Sequence, residues 1–173
     1  MNAVTVSPLP DSEAFRGWQR EGFNRWISLC GVGASDLLDR DETPIEIEGM
    51  VFRLADPFSA SDPWDGREQL GARDFLEHST PVLRANLLRA VRALVRSLEQ
   101  GERVVVFCHL GLSRSPLVAA AGLMVARRLD PLSAWAAVAR TNDELRLTRL
   151  ALAALLWIES TWNQDRGFDN DIS

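Results

Sequence analysis

One thiol and one guanidinium fall in register near the middle of the chain. Cys108 follows four apolar β-formers, Val104 to Phe107, and Arg114 comes six residues later with Gly111 between them. Ser115-Pro116 then open a long apolar segment. A strand, a tight loop and a helix start are the elements this order predicts. A loop entering a helix N-terminus points unpaired backbone N–H groups at its centre. Such a loop binds a tetrahedral anion and favours the thiolate form of a thiol held at its middle. Arginine adds a planar fork that grips two phosphoryl oxygens, a geometry lysine cannot copy. A nucleophile inside an anion cradle is the chemistry of phosphoryl transfer through a phosphocysteine. The cradle would comprise His109, Leu110, Gly111, Leu112, Ser113 and Arg114.

The flanking pattern supplies scaffolding for that loop. Ala3 to Val6 reads as a first strand, broken by Pro8-Leu9-Pro10. Asp11 or Ser12 caps a helix to about Glu21, closed by Gly22. Phe23 to Cys30 reads as a buried strand, and Gly31 to Asp41 as loop with a helical turn. Glu46 to Ala55 holds another strand, centred on Met50 to Leu54. Asp56 to Gly66 is dense in Pro, Ser, Asp and Gly and reads as loop. From Arg67 the pattern turns helical, and Leu83, Leu87, Val91, Leu94 and Leu98 mark one face of a helix from Pro81 to Glu99. Further helices are expected over Pro116–Leu129, Pro131–Arg140 and Glu144–Trp162. Strands alternating with helices predict an α/β fold: a mostly parallel sheet of about four to five strands flanked by helices, with the site at the strands' carboxyl ends.

The chain has 173 residues, enough for one domain with a real core, expected over residues 1–162 with a polar tail at 163–173. Its net charge of -5 disfavours nucleic acid and anionic membrane as partners. All 19 basic residues are Arg, a habit of composition rather than a site. Two cysteines and two histidines at unrelated spacings predict neither a disulfide scaffold nor a metal site. No basic-then-apolar leader is seen, and the longest apolar run is too short to span a bilayer. A reducing cytoplasmic location is the expectation from these features and a free thiol.

The segment Cys108-His109-Leu110-Gly111-Leu112-Ser113-Arg114-Ser115 resembles the signature of the cysteine-dependent protein tyrosine and dual-specificity phosphatases: Cys, five residues, Arg, then Ser or Thr. Val6 to Cys30, Val82 to Phe107 and Pro116 to Trp157 resemble the family's flanking elements, and the short chain resembles its compact dual-specificity branch. The resemblance implies that Cys108 is the nucleophile, that Arg114 binds the phosphoryl group, and that Ser115 hydrogen-bonds the sulfur. It also implies an Asp general acid on a loop between the preceding strand and the helix before the nucleophile strand. Asp56, Asp62 and Asp65 all lie there. Asp56, directly after a strand, is the position the resemblance favours, while Asp65 resembles the mobile acid loop of larger tyrosine phosphatases. A few relatives protect the thiol by a reversible disulfide to a neighbouring strand, which makes Cys30 a candidate redox partner. Two departures stand out. The stretch from Asp56 to Cys108 is longer than in compact members, and Phe107 replaces the usual His, so it cannot donate a hydrogen bond to the loop.

No Lys or Arg lies between Cys108 and Arg114, whereas phosphoinositide phosphatases of the family carry basic residues there. The expected substrate is therefore a phosphorylated protein or a small phosphomonoester, with phosphate or sulfate as a site ligand. No cofactor or metal is expected, because Arg and backbone amides carry the charge. A rhodanese-like sulfurtransferase, a non-catalytic phosphate-binding module and an RNA 5′-triphosphatase are the competing readings. The first lacks a Ser-Arg-Ser-Pro exit from its loop, and the second would more naturally have lost Cys108 or Arg114. The third would need more than the Arg89, Arg92 and Arg96 face.

Overall fold

The computed structural model describes residues 3–38 and 47–169. Residues 39–41, Glu46 and 170–173, which fall within segments read above, lie outside that set. Eleven elements follow in order: β1 (Val4–Ser7), α1 (Ser12–Arg20), β2 (Arg25–Ser28), α2 (Ala34–Leu37), β3 (Glu48–Val51), α3 (Ala72–Glu77), α4 (Pro81–Glu99), β4 (Val104–Phe107), α5 (Arg114–Arg127), α6 (Pro131–Ala139) and α7 (Arg149–Asp169). The four strands pair in the order β1-β4-β2-β3, and every pairing is parallel. Strand β4, which leads to Cys108, thus lies inside the sheet, with Phe107 in register with Ser7 on one side and Ser28 on the other.

Side chains of β4 alternate between two cores, as a strand buried on both faces requires. Val104, Val106 and Cys108 join a large aliphatic core with α4, α5 and α7. Val105 and Phe107 face a smaller aromatic core with Phe15, Phe23 and Trp26. Helix α5 is buried almost all round, which explains its run of Ala and Gly. A Cβ on Gly122 would sit 2.3 Å from Leu94 Cδ2, so α4 and α5 approach closely through that glycine.

Local chemistry sets most boundaries. Asp11 accepts the Ala14 amide at 2.8 Å and caps α1. Thr80 accepts the Leu83 amide at 3.1 Å ahead of Pro81. Asp130 accepts the Ser133 amide at 3.0 Å ahead of Pro131. Such caps satisfy amides that have no partner within the helix.

Boundaries differ from the sequence pattern at several places: β2 covers only Arg25–Ser28, the helical stretch read from Arg67 starts at Ala72, and α5 runs over Arg114–Arg127 rather than Pro116–Leu129. The third strand ends at Val51, three residues short of Leu54, because the chain beyond it turns back on β2. Cys30 and Arg53 form an antiparallel bridge there, and the Gly31 amide bonds Phe52 at 2.9 Å. The last helix begins at Arg149 rather than Glu144. Residues before it are drawn to the 56–66 loop: the Trp64 amide donates to Leu147 at 2.8 Å, and Pro63 bridges Thr148. The helix also continues past Trp162 to Asp169. No helix among the described residues is long and apolar enough to cross a membrane.

Candidate active site

The site stands at the carboxyl ends of β1, β4 and β2. Strand β4 delivers Cys108, 1% exposed, to a loop that turns directly into α5. The thiol Sγ lies 3.3 Å from Ser115 Oγ, so the first turn of the helix touches the sulfur. The loop is moored to β1 by two backbone bonds, Leu9 amide to His109 carbonyl at 3.0 Å and Cys108 amide to Ser7 carbonyl at 3.4 Å. Gly111 makes that mooring possible. Its φ is +70°, and a Cβ would lie 2.7 Å from the Pro8 nitrogen and 2.8 Å from the Ser7 carbonyl carbon. Both the left-handed conformation and the closeness of immovable backbone demand glycine here.

Arg114 is the first residue of α5, and its side chain is 12% exposed. One terminal nitrogen donates to the Leu54 carbonyl at 3.0 Å. Its Nε is buried without a hydrogen-bond partner and lies 3.5 Å from Asp56 Oδ2. The same Oδ2 accepts a hydrogen bond from Ser113 Oγ at 2.7 Å, and Oδ1 accepts one from the Ser59 amide at 3.1 Å. The chain that leaves β3 therefore brings both the Leu54 carbonyl and the Asp56 carboxylate to the loop.

The other two carboxylates are placed differently. Asp65 is exposed and accepts the amides of Arg67 and Glu68, at 2.8 and 3.1 Å. Those amides hold its carboxyl below the usual range, favouring the ionised form. Asp62 accepts the Arg149 amide through its backbone at 2.9 Å and lines a separate groove with Pro57, Leu70 and His78. Cys30 is half-buried and free, 3.7 Å from Ser28 Oγ. It shares a shallow groove with Arg53, Thr80, Asn86 and Arg114.

A groove of about 490 Å³ opens over the loop, walled by Asp56, Phe58, Leu110, Leu112, Arg114 and Trp135. Leu110 is 75% exposed, so the rim beside the loop is apolar. His109 is exposed on that wall, as is Arg146 from the turn before α7. Sequence reasoning missed Trp135, Arg146 and the Leu54 carbonyl. The first two reach the groove only through tertiary packing, and a carbonyl has no side-chain signature. Phe107 lies on the opposite face of β4, fully buried, with its ring 5.8 Å from Trp26 and 6.2 Å from both Phe15 and Trp18.

No family model and no curated protein matches the chain. Solved structures do. A mouse putative dual specificity phosphatase, complexed with zinc tungstate, superposes with a TM-score of 0.65 at 17% identity, covering 95% of this chain and 86% of that one. PTPMT1 in complex with PI(5)P gives 0.64 at 18% identity, covering 94% of each chain. The active form of Tk-PTP gives 0.55 at 21% identity, covering 91% and 92%. At such identities the likeness is one of fold, and over nearly its whole length the chain has the fold of the compact protein tyrosine and dual-specificity phosphatases.

Proposed function

We propose that the protein is a phosphatase that hydrolyses phosphomonoesters through a phosphocysteine on Cys108. One observation carries the reading: a thiol at a strand end lies 3.3 Å from Ser115 Oγ at the mouth of a buried helix, in a loop that also brings in Arg114. A buried Nε with an open donor is a group that an oxyanion would satisfy. The thiolate attacks phosphorus, forming the S–P bond as the P–O bond breaks, and the Asp56 carboxyl gives its proton to the leaving oxygen. Water then attacks phosphorus and yields a proton to the Asp56 carboxylate. The S–P bond breaks, and inorganic phosphate and thiolate are released. Arg114 and the loop amides carry the oxyanion charge, so the chemistry asks for no metal. Ser115 donates to the sulfur as it leaves.

The proposed substrates are phosphotyrosine or phosphoserine/threonine in proteins, or a small phosphomonoester. PTPMT1 is described with PI(5)P, but the loop here holds no Lys or Arg before Arg114, and exposed Leu110 and Leu112 form its rim. Such a rim suits an apolar or aryl leaving group better than a polyanionic headgroup.

The test is hydrolysis of an aryl phosphate with EDTA present and Cys108→Ser alongside. Turnover that disappears in the variant is expected. Folded protein without turnover between pH 5 and 8.5 would favour a phosphate-binding module instead. Phe107 points to that outcome, since its ring is enclosed by aromatics and offers the loop no hydrogen bond.

A further inference from the structure

Ser113 occupies the N-cap position of α5 but does not cap it. Serine at such a position ordinarily turns its hydroxyl back to an amide of the first turn. Here φ is -129° and ψ -73°, and the side chain makes no cap bond. The hydroxyl reaches instead to Asp56 Oδ2, 57 residues away in sequence, at 2.7 Å.

The three groups around the Asp56 carboxyl differ in what they tolerate. The Ser59 amide at Oδ1 and the Arg114 guanidinium beside Oδ2 can only donate. A hydroxyl donates and accepts. With Asp56 ionised, Ser113 donates to Oδ2. With Oδ2 protonated, the carboxyl donates to Ser113 Oγ. The same two heavy atoms stay bridged in both states, and neither has to move. Oδ2, the oxygen Ser113 touches, is the one at which the proton comes and goes in this scheme.

A group that is an acid in one step and a base in the next can keep a partner of this kind through both. We propose that Ser113 is a positioning residue that holds Asp56 over the loop in both protonation states. This rests on the reading of Asp56 as general acid and base. In the first step the Oδ2 proton swings from Ser113 Oγ to the leaving oxygen and is lost to it, and the Ser113 O–H turns back to Oδ2. In the second step the proton from the attacking water arrives at Oδ2, and the Ser113 O–H turns away again. No external proton carrier or oxidant is involved.

Ser113 makes no cap bond, so Ser113→Ala removes the Asp56 contact without uncapping α5. The experiment compares kcat on phosphate esters with good (nitrophenyl) and poor (alkyl) leaving groups. Wild type, Ser113→Ala, Ser113→Thr, Asp56→Asn and the Ser113→Ala/Asp56→Asn double variant are measured, with orthovanadate inhibition alongside. Ser113→Ala is expected to lose about tenfold more on the poor leaving group than on the good one, a fraction of the 10²–10⁴ of a general acid. Ser113→Thr should restore the ratio, and the double variant should be no worse than Asp56→Asn alone. Equal loss on both esters with a matching loss of vanadate affinity would show a loop-shaping role and overturn the proposal. An additive double variant would overturn it too. Should Ser113→Ala not fold, the ratio is read in Ser113→Cys, whose weaker hydrogen bonding should lower it in the same direction. Wild type without turnover defeats the phosphatase reading itself; wild type turning over with an unchanged Ser113→Ala ratio defeats only this inference.

Discussion

The two ends of the sheet use the same kinds of residue for opposite purposes. At the carboxyl end of β4, Arg114 and Asp56 are side by side, yet Arg114 Nε has no hydrogen-bond partner and the pair stands at 3.5 Å. At the amino end, Arg25 and Glu102 make two bonds, Nε to Oε2 at 3.0 Å and the terminal nitrogen to Oε1 at 2.5 Å, and Glu48 adds a third at 2.8 Å. One arginine has donor capacity in reserve; the other has spent it on register. Open parallel sheets place ligands at the carboxyl ends of their strands, where helix N-termini converge. The contrast predicts that substitutions at one end alter rate with little change in stability, and at the other end alter stability with little change in rate.

Cys108→Ser should show the first half most sharply. It exchanges sulfur for oxygen in a buried pocket, and turnover is expected to fall on the order of 10⁵-fold or more, as for other nucleophile deletions. Thermal unfolding should shift by no more than a few degrees. A large fall in the melting temperature would mean that the thiol serves packing, and the contrast between the ends would fail. Arg114→Lys comes next, with about 10²–10³-fold lost in kcat/KM. Lysine keeps the charge but cannot hold both the Leu54 carbonyl and an oxyanion in one plane. Retention of most activity would place the phosphoryl group elsewhere.

Gly111→Ala tests the boundary between the two behaviours. The new Cβ meets the backbone of Ser7 and Pro8, which no rotamer change relieves. The loop must lift off β1 or adopt another conformation, at about 1–3 kcal/mol. Stability and vanadate affinity should fall together, as calorimetry and inhibition would show. Loss of affinity alone would mean that the loop and β1 are not mechanically one piece.

What the sequence disclosed follows the same division. The loop is contiguous, so strand, thiol, glycine, arginine and helix could be read in order. Helix α4 was legible for a similar reason: Thr80, Pro81 and a repeating leucine face are local signals. The Asp56 side of the groove is assembled from distant segments. The chain after β3 turns because of bonds to residues 28–31, and the start of α7 is set by bonds to residues 62–64. Nothing within Glu144 to Thr148 announces that its backbone belongs to the 56–66 loop. Three aspartates within that loop could be named but not ranked by residue type. Their difference lies in what each oxygen touches: Ser113 for Asp56, and local amides for Asp65. Phe107 was legible as a departure, but its enclosure by Phe15, Trp18 and Trp26 was not, because those residues sit on α1 and β2.

The smallest expected effect lies at the amino end. Glu102 has its carboxyl held below the usual range, chiefly by the Arg25 hydrogen bonds and further by Ser97, against an opposing cost of burial. A carboxyl with a lowered folded-state pKa contributes stability above its unfolded value, about 4.3, and loses it as pH falls through the folded value. Glu102→Gln should therefore cost about 1 kcal/mol at neutral pH, a surface-like magnitude because both side chains keep about a fifth of their exposure. Arg25 retains Glu48 in the variant, so no orphaned charge adds to the loss. The two proteins should converge in melting temperature only once pH has fallen through that lowered folded-state value, since wild-type Glu102 is then protonated as well. kcat for an aryl phosphate should be the same in both at neutral pH. A gap that persists unchanged into acid would mean that shape, not charge, joins β2 to β4 at that end. A fall in kcat would show that the two ends of the sheet are coupled, and that the far ion pair sets the position of Cys108 through β4.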